Sequence, residues 1–239
     1  MPNAWKLAAS AVCLVSASTT AWGVACSPGT LTDYISLGGA GCTIGSTTFS
    51  DFTLLGPLSP GDTPISPSLV QVTPFSGPSD ADFLFSVSDS ALAGEVLRLL
   101  FGFNASTAPG DGFIHAESEL GGSAVTPDGS VTLVDDLCLG GLLDPGTFSC
   151  GGTPATMIPF DIGSDSELLT MTDFAAVDFI SRAVDIALDG GFNGAAALQN
   201  ARISFTTQTP IPVPEPAPLA LAAIGLASFG WARARPVRA

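Results

Sequence analysis

A nucleophilic hydrolase needs a general base, and this chain has one histidine to offer, His115. Serine and cysteine nucleophiles are activated by an adjacent base, so a Ser-His-Asp site would have to use His115. This residue lies in the segment FIHAES, which has the composition of a strand, and no G-x-S-x-G motif occurs in the chain. We therefore interpret His115 as a half-exposed strand residue and keep a secreted hydrolase as a rival hypothesis.

Paired carboxylates could instead hydrolyse a glycosidic bond, which requires two carboxyl groups on either side of it. Candidate pairs are Glu117 with Glu119 and Asp135 with Asp136, and their spacing in the chain does not rank them. Glycosidases that work in open grooves usually carry aromatic platforms for the sugar. Once the terminal segments described below are set aside, Tyr34 is the only tyrosine and no tryptophan remains. This composition argues against a carbohydrate-active enzyme and against a typical sugar-binding module.

Two acidic segments contain oxygen ligands of the kind that calcium binds. Calcium takes six to eight oxygens from carboxylates, carbonyls and water. Asp80 and Asp82 supply carboxylates in one segment, and Asp161 and Asp165 supply them in the other. Neither segment matches the twelve-residue calcium loop, and exposed turns use the same residue types. We therefore predict no metal site and no cofactor, and retain these four aspartates as weak calcium candidates.

The cysteines predict disulfide bonds. Cys13 falls in an N-terminal apolar segment, which leaves an even number in the rest of the chain: Cys26, Cys42, Cys138 and Cys150. An even count is typical of a disulfide framework in an exported protein, and three pairings are open. Pairing of neighbours would close two short loops, each worth ~3 kcal/mol on the chain-entropy model. No CxxC motif occurs, so metal ligation by these thiols is disfavoured.

The charge distribution excludes one class of partner. All 22 Asp and Glu residues lie in the region 26–216, where the cations are Arg98, Arg182 and Arg202 and lysine does not occur. Such a surface repels phosphate backbones and anionic lipid, so we predict no nucleic-acid binding. An acidic surface attracts divalent cations, but solubility of an exported protein is a sufficient explanation for it.

The central region reads as strands joined by turns. Short apolar runs alternate with Gly, Pro, Ser, Asp and Asn, as expected for an all-β domain. The predicted strands are residues 48–55, 68–73, 81–88, 96–103, 113–120, 130–138 and 201–207, with parts of 154–171. Pro127-Asp128-Gly129 has the composition of a tight turn. By length this is one domain with a real core.

One segment, residues 174–188, fits either a strand or a helix. Val184, Ile186 and Leu188 alternate with polar or small residues, whereas several aspartates also fall on one helical face. We favour a strand, because its neighbours are strands and Gly190-Gly191 is expected to form a hairpin turn. A similar doubt applies to residues 90–100.

The N-terminus has the features of a signal peptide. Lys6 and the α-amine give a positive start, and residues 7–17 form an apolar core of suitable length. Gly23 and Ala25 are small residues at the −3 and −1 positions of a cleavage site before Cys26. Cleavage after Ala21 is the alternative. A lipoprotein signal that lipidates Cys26 is disfavoured, because it requires a large aliphatic residue where Gly23 stands.

The C-terminus combines a stiff motif, an apolar segment and a basic end. Prolines alternate at positions 210–218, which predicts an extended and accessible segment. Residues 217–231 carry no charge and would span roughly 22 Å as a helix, short of a ~30 Å hydrocarbon core but able to insert by local thinning. Arg233, Arg235 and Arg238 follow and predict a cytoplasmic end. An ordinary tail anchor behind a proline linker is the alternative.

This tail resembles a PEP-CTERM sorting signal, the bacterial C-terminal signal that exosortases recognise. The matching residues are Val213, Pro214, Glu215 and Pro216, followed by the membrane segment and the arginines, although here alanines and Pro236 interrupt the basic cluster. The resemblance covers about a tenth of the chain. It implies export, processing near the motif by an exosortase, and an association with extracellular polysaccharide and biofilm.

The central region is also similar, more loosely, to exported PEP-CTERM proteins. The resemblance lies in LTDYI, GCTIG and FSDF near its start and in VDIAL near its end. It implies a single, jelly-roll-like β-sandwich. The expected organisation is a signal peptide at 1–25, a β-sandwich at 26–208, a proline-rich linker at 209–216, a transmembrane helix at 217–232 and a basic cytoplasmic tail at 233–239.

The sequence therefore predicts an exported cell-surface or extracellular-matrix protein with no enzymatic activity. Its expected partners are the secretion machinery, an exosortase and, before processing, the membrane. Extracellular polysaccharide is a further candidate partner. A secreted module that binds calcium or polysaccharide is the alternative function.

Overall fold

The computed structural model describes residues 23–77 and 80–208. This part of the chain is all-β, as predicted, and forms two sheets that face each other across one apolar core. The arrangement is consistent with a β-sandwich. Strand pairing is antiparallel except for one short parallel pair.

The strands divide into a seven-stranded and a nine-stranded sheet. In the seven-stranded sheet they are β1 Gly29–Thr30, β5 Val70–Ser76, β6 Asp80–Leu92, β8 Gly112–Gly121, β9 Ala124–Thr126, β14 Leu169–Val177 and β16 Ala195–Gln208. In the nine-stranded sheet they are β2 Cys42–Ile44, β3 Thr47–Leu54, β4 Thr63–Pro64, β7 Val96–Thr107, β10 Ser130–Leu139, β11 Thr153–Met157, β12 Phe160–Ile162, β13 Asp165–Glu167 and β15 Phe179–Asp189.

The long strands alternate between the two sheets along the chain. The seven-stranded sheet has the order β1-β5-β6-β16-β8-β14, and the nine-stranded sheet has the order β13-β12-β10-β15-β7-β3-β2. The last described strand, β16, lies in the interior of its sheet between β6 and β8. Removal of β16 would therefore break the seven-stranded sheet in its middle.

Residues 174–188 form strands, which confirms the prediction for the ambiguous segment. In β15, Val184, Ile186 and Leu188 are fully buried, whereas Asp185 and Ala187 between them are partly exposed. This period of two places one side of the strand in the core. The expected hairpin at Gly190-Gly191 is wrong, because the strands before and after this turn pair in different sheets.

The centre of the core is aromatic and joins the two sheets. Phe83 of β6 packs against Phe49 of β3 with ring centroids 4.6 Å apart, and against Phe52 at 5.8 Å. Both contacts are edge-to-face, the geometry that the ring quadrupole favours. These contacts cross from one sheet to the other, so the sandwich is held by interlocking rings as well as by aliphatic side chains.

A short helix, α1 Leu31–Ser36, was not predicted from the sequence and is followed by a 3₁₀ helix at Gly38–Ala40. Its start is fixed by a capping box. The Thr30 hydroxyl accepts from the Asp33 N–H at 3.2 Å, and the Asp33 carboxylate accepts from the Thr30 N–H at 2.7 Å. The bond from the Thr30 N–H, and then a bond that the Thr30 hydroxyl donates to the same carboxylate, hold the pKa of Asp33 below its usual value. The helix places Leu31 and Tyr34 in the core.

Tyr34 gives a direct test of this packing, because it is the only tyrosine in the chain. Its ring is buried, its hydroxyl donates to the Ser27 carbonyl at 2.8 Å, and burial raises its pKa to about 12. We expect the tyrosinate absorbance to rise at about pH 12 in the folded protein and at about pH 10 in urea. Since the neutral phenol is the form that the fold favours, stability is lost as the pH rises from about 10 to about 12.

The measurement is an ultraviolet titration of the folded and the unfolded protein. The Tyr34→Phe variant is the control and should show no such absorbance change. A folded-state midpoint at the unfolded value would contradict the buried position of this ring.

Two disulfides link Cys26 to Cys42 and Cys138 to Cys150, so neighbours pair. The Cys26–Cys42 bridge ties the start of the described chain to β2. The other bridge closes a loop that follows β10. Disulfides persist in oxidising compartments, and this pair indicates an exported or extracellular protein.

The two terminal predictions fall outside the described residues. This holds for most of the expected signal peptide, for the sorting motif at Val213, Pro214, Glu215 and Pro216, and for the expected membrane helix and the arginines that follow it. Over residues 23–77 and 80–208, no helix has the length and apolar character required to span a bilayer.

Candidate binding surfaces

The outer face of the seven-stranded sheet collects several of the residues that the sequence singled out. His115, Glu117 and Glu119 alternate with buried residues along β8, so all three point away from the core. Asp80 and Asp82 stand near the start of β6. Strand β16 lies between these two strands and brings Arg202 between the two acidic sets.

His115 forms a hydrogen bond with a carboxylate. Its Nδ1 lies 2.6 Å from Oδ1 of Asp173, on the neighbouring strand β14. The Asp173 side chain is 88% exposed and that of His115 is 21% exposed. An Asp partner can orient an imidazole as a general base, but a hydrolase would also need a cleft around it. The two grooves described below are lined by other residues.

Arg202 lies close to the carboxylates of two other candidate residues, Asp82 and Glu119. Its Nη2 donates to Oδ2 of Asp82, and its Nη1 lies 3.8 Å from Oε2 of Glu119. The bond to Asp82 is the main reason that the pKa of Arg202 is raised. Asp82 is almost fully buried, and its other oxygen has no hydrogen-bond partner. Both carboxylates therefore serve an ion pair on the sheet surface.

The remaining calcium candidates lie at two places in the fold, with Asp80 on β6 and with Asp161 and Asp165 on the paired strands β12 and β13. Asp80 accepts from the Thr206 hydroxyl at 2.9 Å, and Asp161 on β12 accepts from the Ser123 hydroxyl at 2.7 Å. Asp165 lies exposed at the start of β13. Within the described ranges, no three or more His, Cys, Asp or Glu residues are grouped as a metal site would require.

Asp135 and Asp136, one of the two candidate pairs, lie on opposite sides of β10. Asp135 is fully buried between the sheets, where its carboxylate accepts from Arg182, with Nε to Oδ1 at 2.6 Å, and from the Ser118 hydroxyl. Asp136 points outward and accepts from the Thr156 hydroxyl at 2.6 Å. Neighbouring positions on a strand face opposite ways, so these carboxylates cannot act together on one substrate.

The buried pair of Arg182 and Asp135 was missed by sequence reasoning. The Arg182 guanidinium lies 4.6 Å from the centroid of the Phe205 ring and also donates to Ser118 at 2.9 Å. The alternation of inward-facing and outward-facing residues along the two strands indicates that both side chains are buried. Asp135 is in phase with Val131 and Leu133 on β10, just as Arg182 is in phase with Ile180 on β15, and the two strands are adjacent.

A groove on the outer face of the nine-stranded sheet, which we call the Arg98 groove, was not predicted. Its volume is about 240 Å³. The floor is made by outward-facing residues of β7, β10 and β15, and the walls are two loops. The lining residues are Pro57, Ser59, Arg98, Leu100, Val134, Asp136, Phe148, Ala183 and Asp185.

Arg98 is fixed at one side of this groove by hydrogen bonds. Its Nε donates to Oδ1 of Asp185 at 2.7 Å, and its Nη1 donates to Asp62 at 3.1 Å and to Ser59 at 3.2 Å. Hydrogen bonding to Asp185, and then the bond to Asp62, raises the pKa of Arg98. The lining of the groove contains two carboxylates, those of Asp136 and Asp185, and one cation, Arg98. The groove is therefore negative and disfavours anionic ligands.

The opposite wall carries an aromatic ring. Phe148 has a positive φ of 53° and is 42% exposed. It belongs to the loop closed by the second disulfide, and its N–H donates to the Asp144 carbonyl at 2.8 Å. The Asp144 carboxylate in turn accepts from the N–H groups of Gly146 and Thr147, which lowers the pKa of Asp144. The Phe148 ring, which its loop holds in place, lies opposite fixed polar groups. Such an arrangement can bind a neutral ligand that has an apolar face and hydroxyl groups.

Comparison with known proteins gives no family. No protein-family model matches the chain, and no curated protein matches it. Among solved structures, similarity is found to the carbohydrate-binding module TmCBM61, solved in complex with beta-1,4-galactotriose. The identity is 9%, the alignment covers 54% of this chain and 70% of the other, and the TM-score is 0.24. Similarity at this level supports no argument about fold or function.

Proposed function

We propose that this is an exported, non-enzymatic protein of the cell surface or extracellular matrix. An exosortase recognises and cleaves its C-terminal sorting signal. The observation that carries the proposal is the position of β16, which ends at Gln208, upstream of Pro214. Cleavage near Pro214, Glu215 and Pro216 would leave every described strand in the released domain.

The parts of the tail have separate tasks in this proposal. Prolines keep the motif extended, so that a protease cleft can receive its backbone. The apolar segment at 217–232 holds the precursor in the bilayer until it is cleaved. Arg233, Arg235 and Arg238 remain cytoplasmic and orient that segment. The two disulfides support the same route, because they form in the compartment that the domain enters after export.

Deletion of the host exosortase should leave full-length precursor in the membrane fraction. The wild-type host should instead release a protein that lacks the apolar tail, as measured by intact mass. A Glu215→Gln variant should accumulate precursor in the wild-type host because the motif is altered. Glu167→Gln makes the same change at an exposed position on β13 and should be processed normally. Unchanged processing without the exosortase would contradict the proposal.

A second candidate function is the binding of a neutral polysaccharide, favoured by the Arg98 groove. Carboxylates of Asp136 and Asp185 can accept from sugar hydroxyls, and the exposed Phe148 ring can pack against sugar C–H groups. The excess of carboxylates over cations favours neutral over acidic polymers. We also propose that the sandwich is jelly-roll-like, because its long strands alternate between the two sheets along the chain.

Replacing Phe148 with alanine should weaken binding to a neutral glucan roughly tenfold, through loss of the stacked ring. Affinity electrophoresis in gels that contain the polymer measures the effect. Phe192→Ala is the matched control, since Phe192 is 92% exposed and lies outside the groove. A polyuronate should not retard the protein. Equal retardation of both variants, or stronger retardation by the polyuronate, would reject the groove as the binding site.

A further inference from the structure

Residues 24–26 are built into the edge of the nine-stranded sheet, although a cut before Cys26 would place two of them in the signal peptide. The Thr43 N–H donates to the Val24 carbonyl at 2.8 Å, and the Cys26 N–H donates to the Thr43 carbonyl at 2.9 Å. Ala25 and Thr43 form a parallel bridge. These residues thus add a short edge segment beside β2.

Gly23 also fits against this edge. A Cβ atom at this position would lie 2.8 Å from Cγ2 of Thr43, so glycine lets the backbone approach this side chain without displacing it. The Thr43 hydroxyl donates to the Gly23 carbonyl at 3.5 Å. The small residue at position 23 therefore has an explanation in the folded domain that does not involve a signal peptidase.

The same segment forms one wall of a second groove. The groove has a volume of about 190 Å³ and is lined by Val24, Ala25 and Cys26 on one side and by residues such as Tyr34 and Leu37 on the other. A chain that begins at Cys26 would lack the first part of this wall. It would also leave the Thr43 N–H without the carbonyl that accepts from it.

We infer that signal peptidase cuts after Ala21, so that the mature chain begins at Trp22 and keeps residues 23–25 as part of the domain. Ala21 provides a small residue at −1 and Thr19 stands at −3. In this hydrolysis, the amide bond between the Ala21 carbonyl carbon and the Trp22 nitrogen breaks, water supplies a hydroxyl to the carbon, and its remaining proton goes to the nitrogen. The products are the free signal peptide and a mature chain with an α-amine on Trp22.

The N-terminus of the exported protein is the first test, read by mass spectrometry after secretion from a host with an intact signal peptidase. We expect it to begin at Trp22. Ala21→Phe should prevent cleavage at this bond, whereas Ala25→Phe, the matched control, should be processed at Trp22 as before. A mature chain that begins at Cys26, or a block of processing by Ala25→Phe alone, would overturn the inference.

Stability of the two mature forms is the second test. Chains that begin at Trp22 or at Cys26 are exported behind the same foreign signal peptide, and their thermal midpoints are compared. We expect the shorter form to melt roughly 2–8 °C lower, because it lacks the hydrogen bonds to Thr43 made by residues 23 and 24. Equal midpoints would mean that the edge segment contributes nothing and would remove the basis of the inference.

Discussion

Replacing Asp135 with asparagine should destabilise the domain by about 3–5 kcal/mol. The Asp135 carboxylate is fully buried and accepts from Arg182, which is itself only 1% exposed. Without the carboxylate charge, the guanidinium remains buried with Ser118 and the Phe205 ring as its neighbours. A buried charge that has lost its counter-ion costs much more than an exposed one. Urea unfolding followed by circular dichroism measures the loss.

Asp136→Asn is the matched control, because it makes the same change one residue along the same strand. Asp136 points outward to a partly exposed position and bonds to Thr156, so this variant should lose no more than about 1 kcal/mol. Equal losses from the two variants would show that Asp135 is not the counter-ion of a buried cation.

A double substitution separates the charge from the packing. Combining Asp135→Leu with Arg182→Met removes both charges and keeps apolar volume between the sheets. This variant should recover most of the stability that Asp135→Asn loses, since apolar replacement of a buried ion pair is often neutral or better. If the double variant does not recover this stability, the hydrogen bonds of the cluster contribute more to stability than we expect.

All three arginines of the described domain are used in ion pairs with aspartate. Arg98 bonds to Asp185 and Asp62, Arg182 to Asp135, and Arg202 to Asp82. Lysine does not occur in residues 23–208. This part of the chain therefore presents no uncommitted side-chain cation to an anionic ligand.

Strand positions could be predicted from the sequence because burial leaves a local period of two. Strands β7, β8 and β10 match the predicted segments closely, and the choice of strand over helix for residues 174–188 is confirmed. Helix α1 was missed because it is six residues long and depends on a cap at Thr30 and on tertiary contacts of Tyr34. Such contacts leave no periodic signal.

Sheet membership could not be predicted, since it depends on long-range pairing. The Gly190-Gly191 turn has the composition of a hairpin, yet β15 pairs with β7 and β10 while β16 pairs with β6 and β8. The same limit applies to the disulfides. Composition left three pairings open, and the fold brings Cys138 next to Cys150.

The Arg98 groove could not have been found from motifs. Its walls come from loops that are far apart in the chain, near Pro57 and near Phe148, and its floor comes from three strands. The pair of Asp135 and Arg182, by contrast, was accessible. Each of the two residues occupies an inward-facing position of an apolar strand. The alternation of inward and outward side chains along a strand predicts that both are buried.

Replacing Phe83 with alanine should cost about 3–5 kcal/mol of unfolding free energy, because it opens a cavity where the two sheets meet. Phe83 is fully buried and lies within ring-contact distance of Tyr34, Phe49 and Phe103. Both sheets and helix α1 therefore lose a common partner. Urea unfolding gives the loss of stability, and the Tyr34 titration should move toward about pH 10 if the cavity admits water.

Phe75→Ala is the control for this substitution. Phe75 is on β5 of the same sheet but is 48% exposed, so we expect a loss of no more than about 1 kcal/mol. The two variants delete the same atoms. The difference between their losses of unfolding free energy therefore reports the effect of burial between the sheets and not of side-chain type. Similar losses from both variants would contradict a shared aromatic core. A large loss from Phe83→Ala with an unchanged Tyr34 midpoint would mean that the cavity closes without admitting solvent.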